Sequence, residues 1–190
     1  MNQFTERRLE FKVLLRDLAG GSEAWGTDRG AHVFTQLNGR LPALLDGTLV
    51  LIDYSGIDRA DVSFQREAVV ETLRRHRPRL LFVAFNLTNP DVRANLESAL
   101  ERRGESLILR LPLGEREVIG RRLTNEYQST LRALRGKNEF TSAMLTAEPF
   151  GLESSTASAR LTALWKAGLI ERIQGSAPSG GREYKYFPID

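Results

Sequence analysis

Three strand-length apolar runs separate segments of helical periodicity, and this alternation limits the chain more than any other feature. The runs are Thr48–Asp53 (TLVLID), Arg79–Asn86 (RLLFVAFN) and Ser106–Leu111 (SLILRL). Each is too short for a buried helix and rich in aliphatic residues, as a strand buried on both faces must be. Between them, Phe64, Ala68, Val69, Thr72 and Leu73 fall on one face of a helix after Asp61-Val62-Ser63, and Val92, Leu96 and Leu100 recur every four residues within Pro90–Arg103. Upstream, Val33, Leu37 and Leu41 mark another helix, with Thr27 or Asp28 expected as its cap and Pro42 closing it. Residues 6–18 read as a short strand or helix. Strand, helix, strand, helix, strand with short connections implies right-handed crossovers and a largely parallel sheet covered by helices.

The pattern changes near Leu113-Gly114. Residues 1–114 are expected to form an α/β domain, residues 115–123 a linker or connecting helix, and residues 124–190 a second, smaller α+β domain. In the latter, Asn125–Leu134 reads as a helix around Tyr127, Leu131 and Leu134, and Phe140–Ala147 as a shorter one. Gly151 with Glu153-Ser154-Ser155 marks the start of a third helix, whose buried stripe is Ala157, Leu161, Leu164 and Leu169. Its other face carries Ser155, Thr156, Ser158, Arg160 and Thr162, small or hydrogen-bonding residues that can enter a DNA major groove. Gly168 ends this helix, and a hairpin follows whose tip is Gly175–Gly181. Arg182, Tyr184, Lys185 and Tyr186 lie on the return strand.

Charge agrees with that division. Of 27 Lys/Arg and 24 Asp/Glu in 190 residues, residues 1–119 hold seventeen of each sign, so the net +3 lies wholly in the C-terminal third. The sign suits phosphate attraction. With no cysteine, disulfides and cysteine metal sites are excluded, and His32 and His76 alone predict no metal cluster. No G-x-x-x-x-G-K or G-x-G-x-x-G motif follows a strand, and no nucleophile–base pair is suggested, so neither a cofactor nor an enzymatic activity is expected. Arg74-Arg75-His76-Arg77-Pro78-Arg79 ends a helix, where cations complement the dipole; a DNA-facing patch is the less favoured alternative. The N-terminus MNQFTERRLEF lacks the apolar run of a signal peptide and no segment approaches a membrane span, which makes a cytoplasmic location the default expectation.

The C-terminal third, through Ser155–Leu161, Leu164 and Ala167-Gly168-Leu169-Ile170, resembles the winged helix-turn-helix domains of small bacterial transcription regulators. The resemblance implies double-stranded DNA as partner. Ser155, Thr156, Ser158 and Arg160 would be the contacts of the recognition helix, and Arg182 and Lys185 would meet phosphates from the wing. A dimer would be the usual binding form.

Residues 11–113 resemble the STAS-like domain, related to bacterial anti-sigma factor antagonists, through Gly26-Thr27-Asp28-Arg29, Leu49–Ile57 and Asp61-Val62-Ser63-Phe64 with Glu67. In the antagonists a serine at a helix N-terminus is phosphorylated by a histidine-kinase-like ATPase, and Ser63 occupies that place. Antagonists have Ser-Gly there, whereas this chain has Ser63-Phe64, and the favoured reading of Ser63 is an N-cap. Asp53 and Asp61 are candidates for binding a cation or a partner, or for forming turns. The leading expectation is a DNA-binding regulator with a sensing or interaction domain. The alternative is a partner-switching interaction protein whose winged helix binds protein.

Overall fold

The computed structural model describes residues 8–135, 137, 140–146, 150–176 and 182–189, without the side chains of Ala143, Ser176 and Arg182. The chain divides into two compact units, Met1–Arg122 and Leu123–Asp190.

The first unit is an α/β fold. Its strands are β1 (Glu10–Leu14), β2 (Glu23–Ala24), β3 (Leu49–Asp53), β4 (Arg59–Ala60), β5 (Leu81–Phe85), β6 (Ser106–Arg110) and β7 (Arg116–Gly120). The main sheet runs β1-β3-β5-β6-β7, while β2 and β4 form a two-residue parallel pair. β1, β3, β5 and β6 are parallel and β7 is antiparallel to β6. The three expected strands form within the three apolar runs. The segment 6–18 contains both a strand, β1, and a helix, α1 (Leu15–Ala19), which Gly20 closes in the left-handed region.

Within residues 115–123, Arg116–Gly120 is a strand and not a linker or a helix, and the residues that follow it pass across the boundary between the two units. The turn at Pro112–Gly114 returns the chain as β7, whose Ile119 is buried in the core beside Leu107 and Leu109. This strand escapes a search for apolar runs because it sits on the sheet edge. Charged residues there, Arg116 and Glu117, are how edges resist pairing with other chains.

α2 (Gly26–Arg40), α3 (Val62–Gln65), α4 (Glu71–His76) and α5 (Pro90–Arg103) complete the unit, and α3 leads into α4 through a π-helical turn at Arg66–Val70. Successive parallel strands always add on the same side of the sheet. Right-handed crossovers then place these helices on one sheet face. Val50, Ile52, Phe82, Ala84, Leu107 and Leu109 point into one core with Val33, Leu37, Phe64, Val69, Leu96 and Leu100. The alternate residues Leu49, Leu51, Leu81, Val83 and Ile108 are buried too, hence the unbroken apolar runs.

Two capping expectations are corrected. α2 begins at Gly26, so Thr27 and Asp28 lie inside it, and neither Thr27 nor Asp28 caps it. Ser63 is likewise inside α3, whose N-cap is Asp61. The Asp61 carboxylate accepts from Phe64 N–H at 2.7 Å and from Gly26 N–H at 3.1 Å, so one side chain serves the first turns of two helices.

The second unit contains α6 (Asn125–Leu134), α7 (Ala143–Thr146), α8 (Ser154–Lys166) and an antiparallel hairpin of β8 (Ile170–Ser176) and β9 (Arg182–Pro188). The expected helix Phe140–Ala147 is shorter within the described residues. Phe140 instead makes a reciprocal bridge to Tyr186, adding a third position to the hairpin edge, and Ala147 lies outside the described residues. Leu134, Phe140, Leu145, Ala157, Leu161, Leu164, Ile170 and Tyr186 are the buried apolar residues around which these elements form.

Candidate functional site

α8 is built two-faced. Ala157, Leu161 and Leu164 are buried, while Ser154, Ser155, Thr156 and Ser158 are exposed. The exposed surface therefore carries short hydroxyls and no bulky apolar group. Arg160 does not join that surface freely: its guanidinium reaches back to the Thr130 hydroxyl on α6 at 3.5 Å. Its charge also contributes, after the Thr124 side chain, to holding the Glu126 carboxyl below its usual range.

Gly168 turns the chain in the left-handed region into β8. The hairpin register sets Ile173 opposite Lys185 and Arg172 opposite Tyr186, so Lys185 and Arg172 stand on opposite faces. The Lys185 stem runs along Gly175, where an added Cβ would lie 3.4 Å from its Cε. Arg182 opens β9. Of the expected tip Gly175–Gly181, Gly175 and Ser176 belong to β8, and residues 177–181 lie outside the described residues, as does the Arg182 side chain. The second unit thus gathers the six proposed DNA contacts onto one helix and one hairpin strand, with Arg160 turned inward.

Periodicity missed Arg172. Its guanidinium carbon lies 3.3 Å from the Trp165 ring centroid and 4.2 Å from that of Tyr184. Trp165 lies in the last turn of α8 and Tyr184 belongs to β9, so the arginine ties helix to hairpin.

In the first unit the proposed residues divide. Asp53 ends β3 and is almost fully buried. One of its oxygens accepts from the Ser55 N–H at 2.9 Å, the Ser55 hydroxyl at 2.7 Å and the Asn86 amide at 2.9 Å, and the other pairs with Lys12 at 2.8 Å. Asn86 holds this position in the left-handed region, which asparagine tolerates. Burial pushes the Asp53 pKa up, but Lys12, Ser55 and Asn86 together outweigh it and bring the value down to about 2. The carboxylate is thus already saturated by its own chain. Ligands of open α/β sheets bind where strand order reverses, and this order never reverses among the parallel strands. Asp61 is likewise committed to its two caps, and Ser63 stands half-buried in the first turn of α3.

The Asp53 cluster has a measurable consequence. Its pKa lies below the ordinary 3.8, so its stabilisation is complete above about pH 4 and is lost as pH falls from there towards 2. The shift corresponds to about 2 kcal/mol. Urea denaturation should show wild type ahead of Asp53→Asn by that margin at pH 6, with the gap narrowing at pH 3. A gap independent of pH would disprove the ionic account.

The basic run is largely spent internally: Arg74 pairs with Glu71, Arg77 with Glu105, and Arg79 donates to the Leu44 and Leu41 carbonyls. Among the described residues, no cluster of three His, Cys, Asp or Glu is arranged to hold a metal ion, and no helix is long and apolar enough to cross a membrane. No family model matches this chain, and neither a curated protein nor a solved structure was found to match it.

Proposed function

We propose that this chain is a DNA-binding transcriptional regulator in which the second unit is a winged helix and the first a STAS-like sensing or interaction domain. The observation that carries the reading is the two-sided α8, with buried Ala157, Leu161 and Leu164 behind exposed Ser155, Thr156 and Ser158, leading directly into a β-hairpin. Short hydroxyls let a helix approach base edges closely, and a hairpin beside it supplies phosphate contacts. Ser155, Thr156 and Ser158 take the base-edge positions; Arg160 takes a guanine or a phosphate, and Arg182 and Lys185 take phosphates. One such unit reads few base pairs, so two copies on paired half-sites form the working complex.

A gel shift against a random duplex pool over a salt series tests this. Affinity should weaken at least about tenfold between 50 and 200 mM salt. Ser158→Glu, which sets a carboxylate against the phosphates, should weaken binding about tenfold or more at low salt. No binding to any duplex at low salt would sink the reading. Phosphate found on Ser63 after incubation with a histidine-kinase-like ATPase, in a protein that ignores DNA, would favour a partner-switching protein instead.

A further inference from the structure

We propose that Arg172 is a phosphate-binding residue of the second unit, its guanidinium held over two aromatic rings so that its N–H edge meets a phosphodiester oxygen of double-stranded DNA. The proposal rests on the DNA-binding reading above and adds a contact which that reading does not contain. A guanidinium is planar, with its five N–H donors in the plane and its faces free of donors. The guanidinium carbon lies over the Trp165 ring at 3.3 Å from its centroid and over the Tyr184 ring at 4.2 Å, and a guanidinium stacked on a ring keeps its in-plane donors for an anion. Among the described residues no carboxylate pairs with Arg172, whereas Arg93 binds both Glu97 and Glu117 at 2.8 Å.

Burial alone does not account for this stack. Tyr184 remains 41% exposed, so its ring is set at the surface beside a cation and is not withdrawn into the core. What stacking does supply is order. A free arginine side chain carries rotamer entropy, and a guanidinium already fixed loses less of it on meeting an anion. Position agrees: Arg172 shares its hairpin face with Tyr184 and Tyr186 and touches the last turn of α8, whereas Lys185 stands on the other face. Because Arg172 and Lys185 stand on opposite hairpin faces, the two cations serve different phosphates.

The test compares the full-length wild type with Arg172→Met, which keeps an apolar stem beneath the rings, and Arg172→Lys, which keeps the charge. Binding to a labelled random-sequence duplex is followed by fluorescence anisotropy at several salt concentrations, and circular dichroism with thermal melting checks the fold. Arg172→Met should weaken low-salt affinity about tenfold and reduce the slope of log K against log salt by about one. Arg172→Lys should keep the wild-type slope. If Arg172→Met does not fold, Arg172→Gln takes its place in the same comparison. A weaker affinity with unchanged slope would make Arg172 a brace between hairpin and helix and would overturn the proposal, as would unchanged binding. A wild type that binds no duplex overturns the DNA-binding reading along with it.

Discussion

Replacing Glu105 with alanine should destabilise the first unit by about 3 kcal/mol, the largest loss expected from any single charged residue here. Its partner Arg77 has a side chain only 4% exposed and meets a Glu105 oxygen at 3.3 Å and the Ser106 carbonyl at 2.8 Å. Burial dominates the Arg77 environment and draws its pKa down to about 10, even with Glu105 acting in the opposite direction. Its Nε and Nη2 find no hydrogen-bond partner, so Glu105 is the only compensating charge at hand among the described residues. Removing it strands a buried cation, which costs far more than the pair contributes over an apolar substitute. Glu105→Gln keeps an acceptor and should lose about half as much. A double variant, Arg77→Met with Glu105→Leu, should recover most of the loss because neither charge is then left alone. Urea denaturation of the full chain, followed by a probe in the first unit, measures all three. A Glu105→Ala loss below about 1 kcal/mol would mean that the Ser106 carbonyl alone satisfies Arg77.

Gly30→Ala should destabilise the same unit by roughly 2 kcal/mol, although alanine is the better helix former by about 1 kcal/mol. Gly30 lies where α2 crosses α3. A Cβ there would stand 2.8 Å from the Glu67 Cβ, 2.9 Å from the Phe64 carbonyl oxygen and 3.2 Å from the Phe64 Cα. Two of these atoms are backbone, so relief requires the helices to part, and the overpacking outweighs the gain in propensity. Gly39→Ala is the control. It sits in the same helix with nothing within 4 Å of the added Cβ, so it should stabilise by up to about 1 kcal/mol. Equal effects from the two substitutions would refute the close crossing.

Elements whose burial is local and repetitive could be read directly. β3, β5 and β6 lie within the three apolar runs because both of their faces are covered. α5 runs over the expected Pro90–Arg103, with Asn89 as its cap, accepting from the Asp91 and Val92 N–H groups at 2.9 and 3.3 Å. α8 shows the expected stripe of Ala157, Leu161 and Leu164. β7 escaped because only Ile119 of its five residues is fully buried and two of the others are charged. The caps were misplaced because the side chain that stabilises the start of α2 comes from Asp61, thirty-five residues further along the chain.

The candidate site divides in the same way. Which face of α8 would be polar followed from a period of 3.6, and the exposure of Ser155, Thr156 and Ser158 agrees with it. That Arg160 turns to Thr130, that Asp53 is saturated by Lys12, Ser55 and Asn86, and that Arg172 lies over Trp165 and Tyr184 had no signature along the chain.

By itself the sequence determined where the central strands and the longer helices form and which of their faces are apolar, because periodicity is a property of neighbouring residues. Only the tertiary structure decided what each charged side chain meets. A carboxylate or a guanidinium is defined by its partners, and those arrive from residues distant in sequence. For this protein, that distance separates an aspartate that caps two helices from one that could bind a cation, and it singles out Arg172 among ten C-terminal cations.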